Sequence, residues 1–88
     1  IDARPPNFFQ QERIKGAINI PPSFFDFLYT LELGEVDKEK GIILYGRTIS
    51  RMYDEQVARK LILLEHKNTK ILQGGLNLWK KQGYPVEP

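Results

Sequence analysis

The segment Ile42-Ile43-Leu44-Tyr45, followed by Gly46-Arg47-Thr48-Ile49-Ser50-Arg51, constrains this chain more than any other. Four consecutive apolar residues predict a buried strand, because a strand covered on both faces needs no polar alternation. The next six residues carry two arginines and two hydroxyls and predict a loop. Beyond them Val57, Leu61 and Leu64 recur at i, i+4 and i+7, the core-facing stripe of a helix with Asp54, Glu55, Arg59 and Lys60 turned mostly outward. In a parallel α/β sheet such a strand-loop-helix junction aims backbone N–H groups and the helix dipole at one point, which suits an anion.

The rest of the chain supplies partners for that unit. Residues 1–3 predict a short strand stopped by Pro5-Pro6, which cannot continue a ladder. Residues 7–11 predict a short helix carrying Phe8 and Phe9, and residues 17–20 a strand closed by Pro21-Pro22. Ser23 is placed to cap a helix over 24–31, with Asp26 three residues on. Residues 34–41 are charged and predict a solvated loop. His66-Lys67-Asn68 ends the following helix, 70–72 predict a strand, and 76–82 a last helix stopped by Gly83. Strands alternating with helices imply parallel pairing through right-handed crossovers.

Four motifs in this order resemble the rhodanese family of single-domain sulfurtransferases. Ile1-Asp2-Ala3-Arg4 is similar to its opening Asp-x-Arg strand, and Ile14-Lys15-Gly16-Ala17-Ile18-Asn19-Ile20-Pro21 to its Ile-x-Gly-Ala-x-Asn-x-Pro segment. Gly74-Gly75 with Trp79 resembles its Gly-Gly-x-x-x-Trp helix start, and Gly83-Tyr84-Pro85-Val86 its Gly-x-Pro-Val ending. Residues 46–51 then look like the active-site loop. The resemblance implies a small α/β sandwich, a mainly parallel sheet with helices on both faces. It also implies that family elements precede Ile1, the chain being cut from a longer protein.

In that family the first loop position holds a cysteine that carries sulfur as a persulfide. Here the position is Gly46, and the chain contains no cysteine. Thr48 and Ser50 offer oxygens, whose alkoxides are far less accessible than a thiolate and cannot form a persulfide. Met52 is a thioether with no proton to lose. Self-contained sulfur transfer is therefore chemically closed to this chain. Only Arg47, Thr48, Ile49 and Ser50 separate Gly46 from Arg51, one fewer than in the phosphate loop of cysteine phosphatases, so the loop resembles the sulfurtransferase branch. Ile49 stands where the family loop often has glycine, and a β-branched residue tolerates positive φ poorly. Arg13 stands where many members have histidine.

Composition removes other classes. Eighty-eight residues make one small domain, and 41% hydrophobic residues are ordinary for a folded one. Thirteen basic against eleven acidic residues leave +2, too balanced to predict a nucleic-acid partner. No apolar run reaches membrane-spanning length, so no membrane insertion is expected. Disulfides and thiolate metal sites are absent with cysteine, and His66 lacks companions for a metal site.

The resulting expectation is one rhodanese-like domain over residues 1–88, non-catalytic, serving as a regulatory, docking or structural module. Its partners would be another protein, further domains of a longer chain, or a small anion, with no cofactor and no metal. Weak anion binding is expected at Gly46, Arg47, Thr48, Ile49, Ser50 and Arg51, centred on Arg51 and supported by Asp2 and Arg4. Each has a plainer role: Arg51 pairing with an acid or water, Arg47 simply exposed, Asp2 ordering backbone, and Trp79 and the phenylalanines filling the core. The alternative is a sulfurtransferase component whose thiol comes from another domain or subunit, or was replaced here by Gly46.

Overall fold

The computed structural model describes residues 1–88. In chain order it has α1 (Pro6–Gln11), β1 (Arg13–Ile14), a 3-10 turn (Pro22–Phe24) leading into α2 (Phe25–Leu33), β2 (Ile42–Leu44), α3 (Tyr53–Leu63), β3 (Thr69–Ile71), α4 (Gly75–Lys81) and β4 (Val86–Glu87). Strands β2 and β3 pair in parallel, Ile42 opposite Thr69 and Leu44 opposite Ile71. Beyond β2 the sheet continues as isolated parallel bridges from Asp2 to Tyr45 and from Asp2 to Asn19. Ala3 N–H donates to Tyr45 O, and Ile20 N–H to Asp2 O, so residue 2 has a neighbour on each side. The strands expected at 1–3 and 17–20 shrink to these bridges, because a proline pair follows each.

One face of this sheet makes the core. Ala3, Ile20, Ile42 and Leu44 meet Phe25 and Leu33 of α2 and Val57, Ala58 and Leu61 of α3 in one cluster. Ile20, Leu44, Val57 and Leu61 are fully buried, and each contributes on the order of 1.5–3 kcal/mol by leaving water. The opposite face carries Asp2 and Tyr45, with α1, β1 and α4 gathered near it. There Tyr45 Oη accepts Ile14 N–H at 3.0 Å, and Lys80 reaches Glu12 at 2.7 Å. No helix is long and apolar enough to cross a membrane.

Several expectations need correction. Ser23 caps nothing: it lies inside the 3-10 turn, and α2 starts one residue later than expected, at Phe25, with Phe24 at its cap position and no side-chain cap. The run 42–45 is not buried throughout, since strand alternation turns Ile43 outward while Ile42 and Leu44 face the core. Leu64 falls just past the end of α3 and is part-exposed. Asp54, expected outward, is buried. Phe8, Phe24 and Phe27, expected in the core, are on the surface. The antiparallel pair of β1 with β4, Arg13 opposite Glu87, was not foreseen. Two residues per strand carry too little periodicity to register in a sequence.

Candidate functional site

A cleft of about 810 Å³ opens at the C-terminal end of β2. Its wall includes residues 46–50 of the loop, Arg4 and Phe8 from the N-terminal segment, Asp54 of α3, and residues 71–77 from the end of β3 into α4. The expected loop residues Gly46, Arg47, Thr48, Ile49 and Ser50 are therefore brought together with Arg4. Asp2 stands behind Arg4, and Arg51 is exposed and outside the lining. Helix α3 begins at Tyr53, so Arg51 does not open it.

Behind the cleft lies a closed polar knot. The Asp2 carboxylate is fully buried and accepts the Arg4 N–H at 2.9 Å and the Arg4 guanidinium at 2.8–3.2 Å. Tyr45 Oη donates to Asp2 Oδ2 at 2.9 Å. Burial pushes the Tyr45 pKa up to about 12, and the Asp2 charge works in the same direction. Burial works against the Arg4 charge, yet the hydrogen bonds and charge of Asp2 outweigh it and raise the Arg4 pKa. Asn19 Nδ2 donates to Asp2 O and Arg4 O, each at 2.9 Å. Asp2 thus orders backbone and one guanidinium, the plainer role read from the sequence.

The loop itself is looser and turned on itself. Thr48 N–H donates to Arg51 O at 2.8 Å, and Arg51 N–H to Thr48 Oγ1 at 3.0 Å. Both amides are thereby turned from any ligand. Gly46 has φ +139°, in the region that favours glycine. A Cβ there would lie 3.0 Å from Arg4 N and 3.2 Å from two Ala3 backbone atoms. Ile49 has no positive φ and is wholly exposed, so the loop takes a path that a β-branched residue allows. At the start of α3, Asp54 Oδ1 accepts Glu55 N–H at 2.8 Å, and the Asp54 carboxylate lies 3.4 Å from Arg47, whose guanidinium is also 3.7 Å from Glu55. A carboxylate of the chain itself thus occupies the helix start, where it complements the dipole and partly neutralises Arg47. The signal was in the sequence: two acids in the first turn of a helix directly after a basic loop.

Across the cleft Gly74, in the left-handed region at φ +79°, precedes the first turn of α4, the turn-and-start role expected of Gly74-Gly75. Gln73 and Asn77 add amides to the wall, which the sequence reading missed. His66 lies elsewhere, buried, with Nε2 2.7 Å from Tyr29 Oη. No group of three or more His, Asp or Glu side chains is disposed to hold a metal ion.

The model of the rhodanese-like domain matches residues 1–82. This chain belongs to the rhodanese-like domain family. The rhodanese-like domain of the Alr3790 protein from Anabaena superposes with a TM-score of 0.82 at 24% identity, over 99% of this chain and 94% of that one. A full-length protein from Lactobacillus plantarum gives a TM-score of 0.70 at 28% identity, over 98% of this chain and 68% of that one. The first establishes the shared fold alone at such identity. No curated protein matches the sequence. The rhodanese-like fold places residues 46–51 between a central strand and the following helix, and this domain has no thiol to put there.

Proposed function

We propose that this rhodanese-like domain is non-catalytic and works as a docking, regulatory or structural module. The observation that carries the reading is Gly46: it offers no nucleophile, its φ of +139° favours glycine, and Ala3 and Arg4 backbone atoms crowd the space a side chain would need. Oxygen nucleophiles on Thr48 and Ser50 have no histidine near them, since the one histidine pairs with Tyr29. Anion binding at the loop is weak in this reading, because Arg47 faces Asp54 and Glu55. The Thr48 and Arg51 amides are engaged within the loop as well.

The test is a sulfur-transfer assay with thiosulfate and cyanide, together with intact mass measured after thiosulfate treatment. The expected results are no turnover above the protein-free background and no gain of one sulfur in mass. Turnover that persists through every purification step overturns the proposal. A second reading, in which another domain or subunit supplies the thiol, draws on the open cleft beside Gly46. A saturable acceleration of transfer from thiosulfate to an added thiol, dependent on this domain, would favour that reading instead.

A further inference from the structure

Helix α2, of sequence FDFLYTLEL, is apolar on nearly all sides. A helix with that pattern belongs in an interior, yet α2 lies on the surface. Phe25 and Leu33 enter the core, while Phe24, Phe27 and Leu31 are 57%, 71% and 66% exposed. Phe27 and Leu31, four residues apart, share one exposed face of α2, and Phe24, at the cap position, borders the same hollow as Phe27. Three large apolar side chains on one exposed stripe differ from the scattered apolar residues normal on a surface, and they mark an interaction site.

The charges around the stripe say what fits it. Residues 22–37 contain Asp26, Glu32, Glu35 and Asp37 and no lysine or arginine. All four are exposed. Six other acids have a cationic partner: Asp2 with Arg4, Glu12 with Lys80, Asp54 and Glu55 with Arg47, Glu65 with Lys67, and Glu87 with Arg13. The five acids without an ion pair, Asp26, Glu32, Glu35, Asp37 and Glu39, all fall within residues 26–39, a stretch whose one cation, Lys38, is bonded to Tyr29 Oη and Leu64 O, in a chain whose net charge is positive. Beside the stripe, Pro22, Phe24, Phe27 and Lys60 border a hollow of about 270 Å³, room for one apolar anchor.

We propose that the outer face of α2 docks an amphipathic helix of a partner protein, with an apolar stripe against Phe24, Phe27 and Leu31 and a lysine- or arginine-rich rim beside the unpaired acids. Complementary potentials at the rim set orientation and encounter rate, and the apolar centre supplies most of the affinity. A second copy of this chain fits poorly, because a two-fold contact through the same face would bring acidic rims together. An anionic membrane surface would repel them too. The proposal names a surface for the docking reading above and rests on that reading's partner. Its failure is distinguishable, because peptide binding is measured without reference to sulfur transfer.

The probes are two synthetic 18-residue helical peptides with the same leucine stripe, one rimmed by lysine and one by glutamate, titrated into the whole domain and followed by amide NMR. The lysine-rimmed peptide is expected to shift α2 amides, with affinity falling as salt rises, and to bind at least tenfold tighter than the other. Phe27→Asp should weaken it tenfold or more. The charge reversal Glu32→Lys with Glu35→Lys should transfer the preference to the glutamate-rimmed peptide. Both exchanges are at exposed positions and leave the core intact, which circular dichroism verifies. Shifts confined to other elements, equal binding of both peptides, no binding at millimolar concentration, or self-association abolished by Phe27→Asp would overturn the proposal.

Discussion

Two arginine–carboxylate pairs flank the same cleft and behave oppositely. The Arg4 and Asp2 side chains are 14% and 0% exposed and joined at 2.8 Å; Tyr45 bonds the Asp2 carboxylate, Asn19 the backbone carbonyls of both residues, and residue 2 has a strand neighbour on each side. Arg47 is half exposed and meets Asp54 at 3.4 Å and Glu55 at 3.7 Å, with no second layer of bonds holding the guanidinium. The first pair ties strand ends together and belongs to the fold. The second sits on an exposed loop that contains no thiol. The bonds that hold the sheet are thus separate from those around the loop, so the loop can change without the architecture changing.

Removing Asp2 should break the comparison hardest. Asp2→Ala leaves the largely buried Arg4 guanidinium with only Glu12 O and the Tyr45 hydroxyl without its acceptor, and breaking a buried pair from one side costs up to about 3–5 kcal/mol. A small domain has roughly 5–15 kcal/mol in total. Urea unfolding should show a midpoint shifted far down, or no folded baseline at 37 °C. A shift no larger than that of an exposed exchange would mean the knot is dispensable.

Alkaline titration separates the pairs next. Tyr45 ionises near 10 when unfolded and near 12 in the knot. Between those values the unfolded chain releases the proton and the folded one keeps it, so stability falls as pH rises, by at most about 1.4 kcal/mol per unit. Below pH 10 this contribution is constant. Tyr45→Phe should flatten the slope between pH 10 and 12, measured as urea midpoint against pH, whereas Arg47→Ala should leave it unchanged.

How much of this was legible in the sequence follows the same division. The strand-loop-helix unit of β2 and α3, the helices α1, α2 and α4, the turn at Gly74-Gly75 and the structural role of Asp2 were readable, because each is fixed by local chemistry over a few residues. The pairing of β1 with β4 was not, since Arg13 and Glu87 meet from opposite ends of the chain through two-residue strands. Asp54 was misplaced because helical periodicity reports the outer face of α3 and not the end of the helix, where a loop folds over it. Phe24 and Phe27 were assigned to the core by residue type. Nothing in a list of aromatics tells an inner face from an outer one when apolar residues occupy both faces of a helix.

Gly46→Cys tests whether the loop can be returned to its family state. A side chain at φ +139° costs about 1–3 kcal/mol, and the crowding by Ala3 and Arg4 adds to it. The expected result is a less stable domain with little persulfide after thiosulfate, read by mass. Adding Ile49→Gly should not rescue it, because Ile49 has no positive φ to relieve. Abundant persulfide in the single variant, at unchanged stability, would show that the loop moves freely to the family path.

The smallest effect belongs to the looser pair. Arg47→Ala removes a guanidinium that is half in water, with contacts of 3.4–3.7 Å, and exposed pairs of this kind contribute about 0–1 kcal/mol. Asp54 keeps its bond to the Glu55 N–H and its place at the helix start, so the carboxylate is not left unsatisfied. The urea midpoint should move by no more than about a third of the Asp2→Ala shift, and amide NMR changes should stop at the loop and the first turn of α3. If Arg47→Ala instead destabilised the domain as strongly as Asp2→Ala, the loop would be a second keystone, and the division between a held fold and a loosened site would fail.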